Sequence, residues 1–229
     1  MPDRAAIRSN RMRSRRSVIR PCTHRRKAAC AADFERQADL RRAAIEKYLW
    51  SADEKRFVDW DRSTRKPTSS ISAAILYPLF VGMATSEQAE ATARLTEQKL
   101  LAPGGLRTTT VHTGEQWDEP NGWAPLLWIA VEGLDRYGKT PLADTLASRW
   151  VKTVSSFYAC TGRMVEKYDV ERGQAGGGGE YPVQDGFGWT NGVTRALLDR
   201  PGIGPSILVI ADEKRRPLCD APSPNPRNP

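Results

Sequence analysis

Residues 116–137 read QWDEPNGWAPLLWIAVEGLDRY, a polar, aromatic loop that runs directly into an apolar segment. Over 123–137 the apolar residues fall on nearly every side of a helical projection, which is typical of a helix buried inside a fold. The loop part, residues 116–125, contains two tryptophans, two carboxylates and amide side chains. This arrangement predicts a helical scaffold whose loops carry the chemistry.

Pairs of a buried and an amphipathic helix recur along the chain. Apolar residues predict a buried helix over 71–83, and an amphipathic helix starts at Ser86, where acidic residues follow. After 123–137, a more amphipathic helix is predicted over 141–158 and a last one over 188–199. Helices that alternate between inner and outer positions predict an all-α fold, either an α/α barrel or an array of helical hairpins.

The two ends of the chain differ in composition from the part between them. Residues 1–32 contain ten lysines and arginines and one acid, a composition that predicts a disordered basic tail that need not belong to the fold. Residues 201–229 contain seven prolines and predict a second disordered tail. One domain over 33–200 is expected between them, beginning with a helix over 34–50 and a short strand over 56–61.

Charge and composition exclude several classes of function. The formal charge of +8 comes from the basic tail, so the rest of the chain lacks the basic face that nucleic-acid binding requires. A transit peptide or a nucleic-acid-binding tail remains an alternative for residues 1–32 alone. No apolar stretch is long enough to span a membrane. The four cysteines form no CxxC pair, so neither a zinc site nor a disulfide framework is expected; they are Cys22, Cys30, Cys160 and Cys219.

Two further loops carry carboxylates beside aromatic residues. Residues 164–170 read MVEKYDV, in which Glu166 stands in an extended apolar segment, either as a candidate base or as half of a surface salt bridge with Lys167. Residues 176–193 read GGGGEYPVQDGFGWTNGV, and here glycine allows the backbone to approach a ligand closely. A flexible linker is the alternative for the glycine run, and a core tryptophan with a helix cap is the alternative for Trp123 and its loop.

Carboxylates among aromatic rings are what a sugar site needs. Flat rings cover the C–H side of a sugar, while carboxylates and amides bind its hydroxyls. Paired carboxylates also supply the acid and base of glycoside hydrolysis. The glycine run lacks the GxxxxGK[ST] pattern of a phosphate loop, and the sequence shows no Ser-His-Asp set. The predicted chemistry is therefore glycoside hydrolysis with no cofactor and no metal.

The sequence QWDEPNGWAP at 116–125 resembles a signature of the trehalases, an inverting glycoside hydrolase family with an (α/α)6-barrel fold. EKYDV at 166–170, the glycine run, EYP at 180–182 and GWTNG at 188–192 resemble the glycine-rich region near that family's C-terminus. The resemblance covers about 33–200. It implies an all-α fold that is part of an (α/α)6 barrel, or toroid, with long loops and a short β-hairpin.

The resemblance also implies an activity, hydrolysis of α,α-trehalose to two glucose molecules with inversion. Glu166 matches the general base that activates water, and Glu180 matches a glutamate that contacts substrate. Trp117, Asp118 and Trp123 are implied to line the sugar subsites. Trehalose and glucose are the expected ligands, without a metal, a membrane or nucleic acid as partner, and the oligomeric state is left open.

The family pattern extends further towards the N-terminus than the resemblance does here. Family members carry there a Pro-Gly-Gly-Arg-type signature, sugar-binding arginines and a general-acid aspartate, and none of these motifs precedes Asp33. A chain without the general-acid half of the site is therefore expected, and a catalytically inactive remnant with weak sugar binding is the alternative to a working trehalase. The compartment is left open between the cytoplasm and, as the family allows, the periplasm.

Overall fold

The computed structural model describes residues 28–203, which belong to two compact units. The first unit contains helix α1 (Ala28–Leu49), which begins earlier than the predicted start at residue 34. Phe34 and Leu40 are exposed on this helix. The predicted tails, 1–32 and 201–229, lie almost entirely outside the described residues, so the domain limits stay a prediction.

The second unit contains the remaining helices. A turn of 3-10 helix and a π-helical turn accompany them, and the bounds are 3-10 turn Ala73–Leu76, α2 Tyr77–Phe80, α3 Ser86–Leu95, π turn Thr96–Leu100, α4 Ala124–Arg136, α5 Thr140–Thr161 and α6 Gly188–Leu198. The last three helices lie within a few residues of the predictions over 123–137, 141–158 and 188–199. No helix among residues 28–203 is long and apolar enough to cross a membrane.

Helix α4 is the centre of this unit, because α2, α5 and α6 all pack on it. Pro125 stands in its first turn, where a missing N–H costs nothing, and Leu127 and Leu134 are completely buried. Gly133 lets α2 approach closely, since a Cβ there would lie 2.9 Å from the Phe80 backbone nitrogen. The buried helix predicted from the apolar run is therefore confirmed.

The segment predicted as one buried helix over 71–83 is shorter and divided. The 3-10 turn opens at Ser72, whose hydroxyl accepts a hydrogen bond from the Ala74 amide. Pro78 lies in the first turn of α2, because its ring and missing N–H prevent it from continuing the preceding turn. Leu76 and Leu79 are nonetheless completely buried, so the predicted burial of the segment is confirmed.

Helix α3 has the amphipathic character that the sequence predicts. Thr85 caps it in a capping box with Gln88, which satisfies two backbone N–H groups at the start of the helix. Ala89, Ala93 and Leu100 form the buried side of the helix and of the π turn that continues it. The expected amphipathic helix is therefore present and starts at Ser86, as predicted.

The strands are two or three residues long and form small antiparallel sheets. Their bounds are β1 Trp50–Ser51, β2 Arg56–Phe57, β3 Trp60–Asp61, β4 Lys66–Pro67, β5 Leu101–Ala102, β6 Gly105–Leu106, β7 Asn121–Trp123, β8 Lys167–Asp169 and β9 Gln174–Ala175. β3 pairs with β4 and β5 with β6, while β7, β8 and β9 form one three-stranded sheet. The single strand predicted over 56–61 is two short strands, β2 and β3. One β-hairpin was expected, whereas the described residues form four small sheets.

One expectation about the cysteines is wrong. Cys30 and Cys160 are each disulfide-bonded, although a disulfide framework was not expected from the sequence. The cysteines of the sequence form no CxxC pair from which such bonds could be inferred. Cys22 and Cys219 lie outside the described residues.

Arg200 ties the end of α6 to two other helices. Its Nη1 donates to Asp135 Oδ2 of α4 at 2.5 Å, and its Nη2 donates to Asp144 Oδ1 of α5 at 2.6 Å. The arginine side chain is 15% exposed, whereas its partners are 29% and 43% exposed. Because the Asp135 pair is partly buried, removing the arginine leaves the Asp135 carboxylate without its cation in a partly desolvated place.

We expect Arg200→Met to lower the free energy of unfolding by about 2 kcal/mol, between the values for exposed and buried pairs. Urea unfolding followed by circular dichroism measures this loss. The matched control is Arg195→Met, since Arg195 pairs with Asp199 at the surface and both side chains are more than 60% exposed. That variant should lose less than about 0.5 kcal/mol. Equal losses in the two variants would contradict the role given to Arg200.

Candidate active site

The sheet formed by β7, β8 and β9 joins two of the loops singled out from the sequence. In the antiparallel register, Trp123 of β7 lies opposite Lys167 of β8, and Asn121 lies opposite Asp169. Glu166 directly precedes β8. The sheet therefore places the candidate base beside the start of helix α4.

The backbone of Glu166 is held from more than one direction. Its amide donates to the Gln184 carbonyl at 2.8 Å, and its carbonyl accepts from the Trp189 indole at 3.2 Å. The preceding residue, Val165, forms a β-bridge with Asp185. Glu166 itself is 2% exposed. The extended conformation predicted for this segment is confirmed, and the side chain starts from a fixed position.

Two donors engage the Glu166 carboxylate. The Tyr181 hydroxyl donates to Oε1 at 2.9 Å, and the Lys167 ammonium lies 3.4 Å from Oε2. The lysine side chain is completely buried. The ion pair weighed in the sequence analysis therefore exists, but it is buried and not at the surface. A buried carboxylate in contact with a cation and a phenol has a defined orientation and charge environment.

Tyr181 remains a donor in this arrangement. Its hydrogen bond to Glu166, together with partial burial and the negative charge of Glu166, raises the pKa of Tyr181 above its usual value. The phenol therefore keeps its proton at neutral pH and can donate to Glu166. The ring is 39% exposed, so Tyr181 lies between the buried carboxylate and solvent.

An aromatic cluster lies next to Glu166. Trp117 stacks on Trp123 with ring centroids 3.9 Å apart and planes 4° from parallel. Trp123 also meets the edge of Trp189, which in turn contacts Phe187. Trp123 is 1% exposed and Trp117 is 46% exposed. Trp123 is thus a buried support, whereas Trp117 presents an indole face to solvent.

Asp118 and Glu180, both predicted to contact substrate, lie in different environments. Asp118 is 6% exposed, and its Oδ2 accepts hydrogen bonds from the backbone and hydroxyl of Thr113. Burial alone would raise the pKa of Asp118, but the Thr113 hydrogen bonds and the charge of His112 outweigh it and hold the pKa below its usual value. Asp118 therefore fixes the turn of its own loop. Glu180 is exposed at the end of the glycine run.

The glycine run is packed against the protein. The Asn121 side chain donates to the carbonyls of Gln116 and Gly177 and accepts from the Gly177 amide. Gly178 has a φ of +75°, and a Cβ there would lie 2.5 Å from the Gly114 carbonyl oxygen. Glycine allows close approach here, as predicted, but the neighbour is the loop that carries Trp117 and not a ligand. The linker alternative does not describe this segment, which we call the glycine strap (Gly176–Gly179).

Some contacts at the site were not predicted from the sequence. Lys167 and Tyr181 contact the Glu166 carboxylate, and Lys167 Nζ also lies 3.4 Å from Gln116 Oε1. Asn121 joins the glycine strap to the Gln116 loop. The position of Lys167 inside an apolar extended segment could have indicated that its charge is buried. Nothing in the sequence around Asn121 indicates that it connects two loops.

An open cavity of about 380 Å³ does not include Glu166 in its lining. Its lining is mostly charged and contains neither an indole nor a phenol ring; it consists of Arg107, His112, Glu119, Pro120, Asp169, Glu171 and Arg172. Arg107 Nε lies 2.5 Å from Glu171 Oε1, so these charges neutralise one another. The cavity therefore lacks the flat apolar face that a sugar ring needs. Within residues 28–203, no group of three His, Cys, Asp or Glu side chains could hold a metal ion.

Known proteins match this sequence closely. A family model described as Trehalase matches residues 12–202. A periplasmic trehalase of Xanthomonas campestris pv. campestris (strain B100) is 46% identical over 208 residues, which cover 90% of this chain and 36% of that protein. A periplasmic trehalase of Pseudomonas aeruginosa is 47% identical over 190 residues, covering 82% of this chain and 35% of that protein. The chain spans about a third of the length of these relatives.

Solved structures share the fold. The neutral trehalase of Saccharomyces cerevisiae gives a TM-score of 0.61 at 32% identity, covering 73% of this chain and 30% of that one. A GH63 mannosylglycerate hydrolase of Thermus thermophilus, in complex with glucose, gives a TM-score of 0.64 at 22% identity, covering 80% of this chain and 44% of that one. The predicted all-α fold, part of an (α/α)6 barrel, is confirmed, and the described residues do not form a closed barrel.

We expect Gly178→Ala to destabilise the protein by about 2 kcal/mol, because an L-residue at positive φ costs 1–2 kcal/mol and the new methyl group meets the Gly114 carbonyl. Gly177→Ala is the matched control, since a Cβ at that position would meet nothing within 4 Å. Thermal unfolding followed by tryptophan fluorescence compares the two. A melting temperature that falls equally in both variants would show that the strap is not packed as described.

Proposed function

This chain belongs to the trehalase family, and on that premise we propose that it takes part in inverting hydrolysis of α,α-trehalose, with Glu166 as the general base. The observation that supports this role is the placement of Glu166. It is a buried, backbone-anchored carboxylate that lies beside an aromatic platform and is covered by a half-exposed phenol. A base must be held within hydrogen-bond reach of a water molecule, and this arrangement supplies a fixed carboxylate near a surface suited to sugar.

In the proposed reaction, Glu166 removes a proton from a water molecule as the water oxygen attacks the anomeric carbon of one glucose. The bond from that carbon to the bridging oxygen breaks, and the bridging oxygen leaves with the second glucose after receiving a proton from a general acid. Attack from the side opposite the leaving group inverts the configuration. Each carboxylate oxygen accepts more than one hydrogen bond, so Tyr181 and Lys167 leave lone pairs for the water.

The general acid has to lie across the scissile bond from Glu166. In inverting enzymes the two carboxyl groups are about 6.5–9.5 Å apart, which leaves room for the water. The family's general-acid motif is not found before Asp33, where the family pattern would place it. Our proposal therefore takes the general acid from polypeptide outside residues 28–203.

We assign the sugar contacts to the same region. The exposed face of Trp117 can cover the C–H side of a glucose ring, and the exposed Glu180 carboxylate can accept hydrogen bonds from its hydroxyls. Trp123 supports Trp117 by stacking, and Asp118 holds the turn from which Trp117 projects. These four residues therefore form one proposed subsite, two of them by direct contact.

For the compartment, we propose the periplasm. The Xanthomonas and Pseudomonas relatives are named periplasmic trehalases. Disulfide-bonded Cys30 and Cys160 suit an oxidising compartment, because the cytoplasm keeps most thiols reduced. Osmotic-shock fractionation of the native cells, followed by immunoblotting, should recover the chain with a periplasmic marker. Recovery with a cytoplasmic marker would contradict this proposal.

We expect Glu166→Gln to lower kcat for glucose release from trehalose by about 10²–10⁴-fold, because the amide keeps the size of the side chain but cannot take a proton. KM should change little, since the carboxylate is not assigned to sugar binding. The measurement is a coupled glucose assay on the purified chain and on any longer protein that contains it.

The control for this substitution is Glu97→Gln, an exposed glutamate on the π turn that should leave kcat unchanged. Equal rates in the wild type and in Glu166→Gln would remove Glu166 from the role of base. Folded wild-type protein that binds trehalose, seen as a change in tryptophan fluorescence that Trp117→Phe abolishes, but releases no glucose would favour the alternative of an inactive sugar-binding chain.

A further inference from the structure

Lys167 is a buried cation that the proposed reaction leaves without a role. Its side chain is completely buried, a rare situation for lysine unless the charge is paired. The ammonium lies 5.3 Å from the centroid of the Trp123 ring and 5.2 Å from that of Tyr181. Both distances are within the range of cation–π attraction, so the aromatic rings partly replace the water that this charge has lost.

The ammonium also links the candidate base to the loop that carries the sugar platform. It lies 3.4 Å from Glu166 Oε2 and 3.4 Å from Gln116 Oε1. The Gln116 carbonyl in turn accepts from the Trp123 indole at 3.0 Å. Trp117 is the next residue along the chain from Gln116. A single cation, Lys167, therefore contacts both the Glu166 carboxylate and the loop from which Trp117 projects.

The lysine stem is held as closely as its charged end. The Lys167 carbonyl accepts a hydrogen bond from the Gly176 amide at 2.9 Å. A Cβ added at Gly176 would lie 2.9 Å from Lys167 Cγ, so the glycine strap packs directly on the methylene chain. A long side chain confined in this way gives its charge a defined position, with little freedom left to lose on substrate binding.

We propose that Lys167 is a positioning residue, whose charge attracts and orients the Glu166 carboxylate and sets its place relative to the Gln116–Trp117 loop. This proposal rests on the role of Glu166 as general base, but its physical content, control of that carboxylate by a buried ammonium, can be measured separately. Lys167 acts through Glu166 and Gln116, so it is not assigned a contact with the sugar.

A cation is needed here because burial alone disfavours a charged carboxylate. Tyr181 donates one hydrogen bond to Glu166 but carries no charge. The Lys167 ammonium lies 3.4 Å from Glu166 Oε2, which is long for a hydrogen bond, so charge attraction is the main part of this interaction. On the neighbouring strand segment, the charge of Asp185 is matched by Arg163, whose Nε donates to it at 2.7 Å. Among the described residues, Lys167 is thus the cation in contact with Glu166.

The test replaces the charge and keeps the shape. Lys167→Met retains a long apolar stem without an ammonium, and the protein is labelled with ¹³C at the glutamate carboxyl carbons. The Glu166 resonance is identified by its loss in Glu166→Gln. We expect the midpoint of its titration to move to higher pH by about 1–2 units in Lys167→Met, as on removal of an opposite charge from a neighbouring position.

Lys152→Met is the matched control, since this lysine is exposed on α5 and should leave the Glu166 titration unchanged. An unchanged midpoint in folded Lys167→Met would overturn the proposal. If Lys167→Met does not fold, Lys167→Gln, which keeps a donor but loses the charge, gives the same readout with the same two outcomes. Lys167→Arg keeps a cation, so the midpoint of the Glu166 titration should stay close to its wild-type pH.

Kinetics separate positioning from a purely structural role. In protein that hydrolyses trehalose, Lys167→Met should lower kcat by about tenfold or more with KM within about threefold, and the acidic limb of the pH–rate profile should move to higher pH. Loss of activity with an unmoved pH profile would overturn the proposal. Absence of trehalose hydrolysis in wild-type protein would contradict only the proposed function, because the carboxyl titration does not depend on turnover.

Discussion

The candidate site depends on the antiparallel pairing of β7 with β8. This pairing sets Trp123 opposite Lys167, and through them it joins the start of the central helix α4 to the segment that carries Glu166. The register matters because a slip of one residue would turn every side chain to the other face of the sheet. Gly122 shows how tightly the register is held, since a Cβ there would lie 2.4 Å from Val170 Cγ1.

The proposed chemistry uses a buried charge pair surrounded by aromatic rings. Such a pair stabilises a fold weakly, because desolvation of both ions offsets their attraction. Its value lies in orientation, since Glu166 has a cation on one oxygen and the Tyr181 phenol on the other. The stacked Trp117 and Trp123 rings exclude water from one side and offer a flat surface on the other. The same cluster of side chains therefore connects the loops of the fold and supplies the groups that the proposed reaction uses.

Helices and the candidate base were predictable from the sequence, whereas the surroundings of the base were not. Continuous apolar periodicity gave α4 to within a few residues, and Pro78 is where the predicted earlier helix divides. Glu166 is the candidate base because the segment around it resembles a family motif. The burial of Lys167 was not predicted, because charge alone usually indicates the surface. The role of Asn121 depends on a partner 56 residues away, and contacts of that kind leave no periodic signal.

The long span of these contacts has a consequence for how the protein folds. Lys167 reaches Gln116 across 51 residues, and Asn121 reaches Gly177 across 56, with both long helices α4 and α5 lying between the partners. Loop-closure entropy has to be overcome before such contacts contribute, while helices form from neighbours in the chain. We therefore expect the hairpin of α4 and α5 to assemble before the site. If the contacts of the site form late in folding, mutations in its loops should act mainly on the unfolding rate.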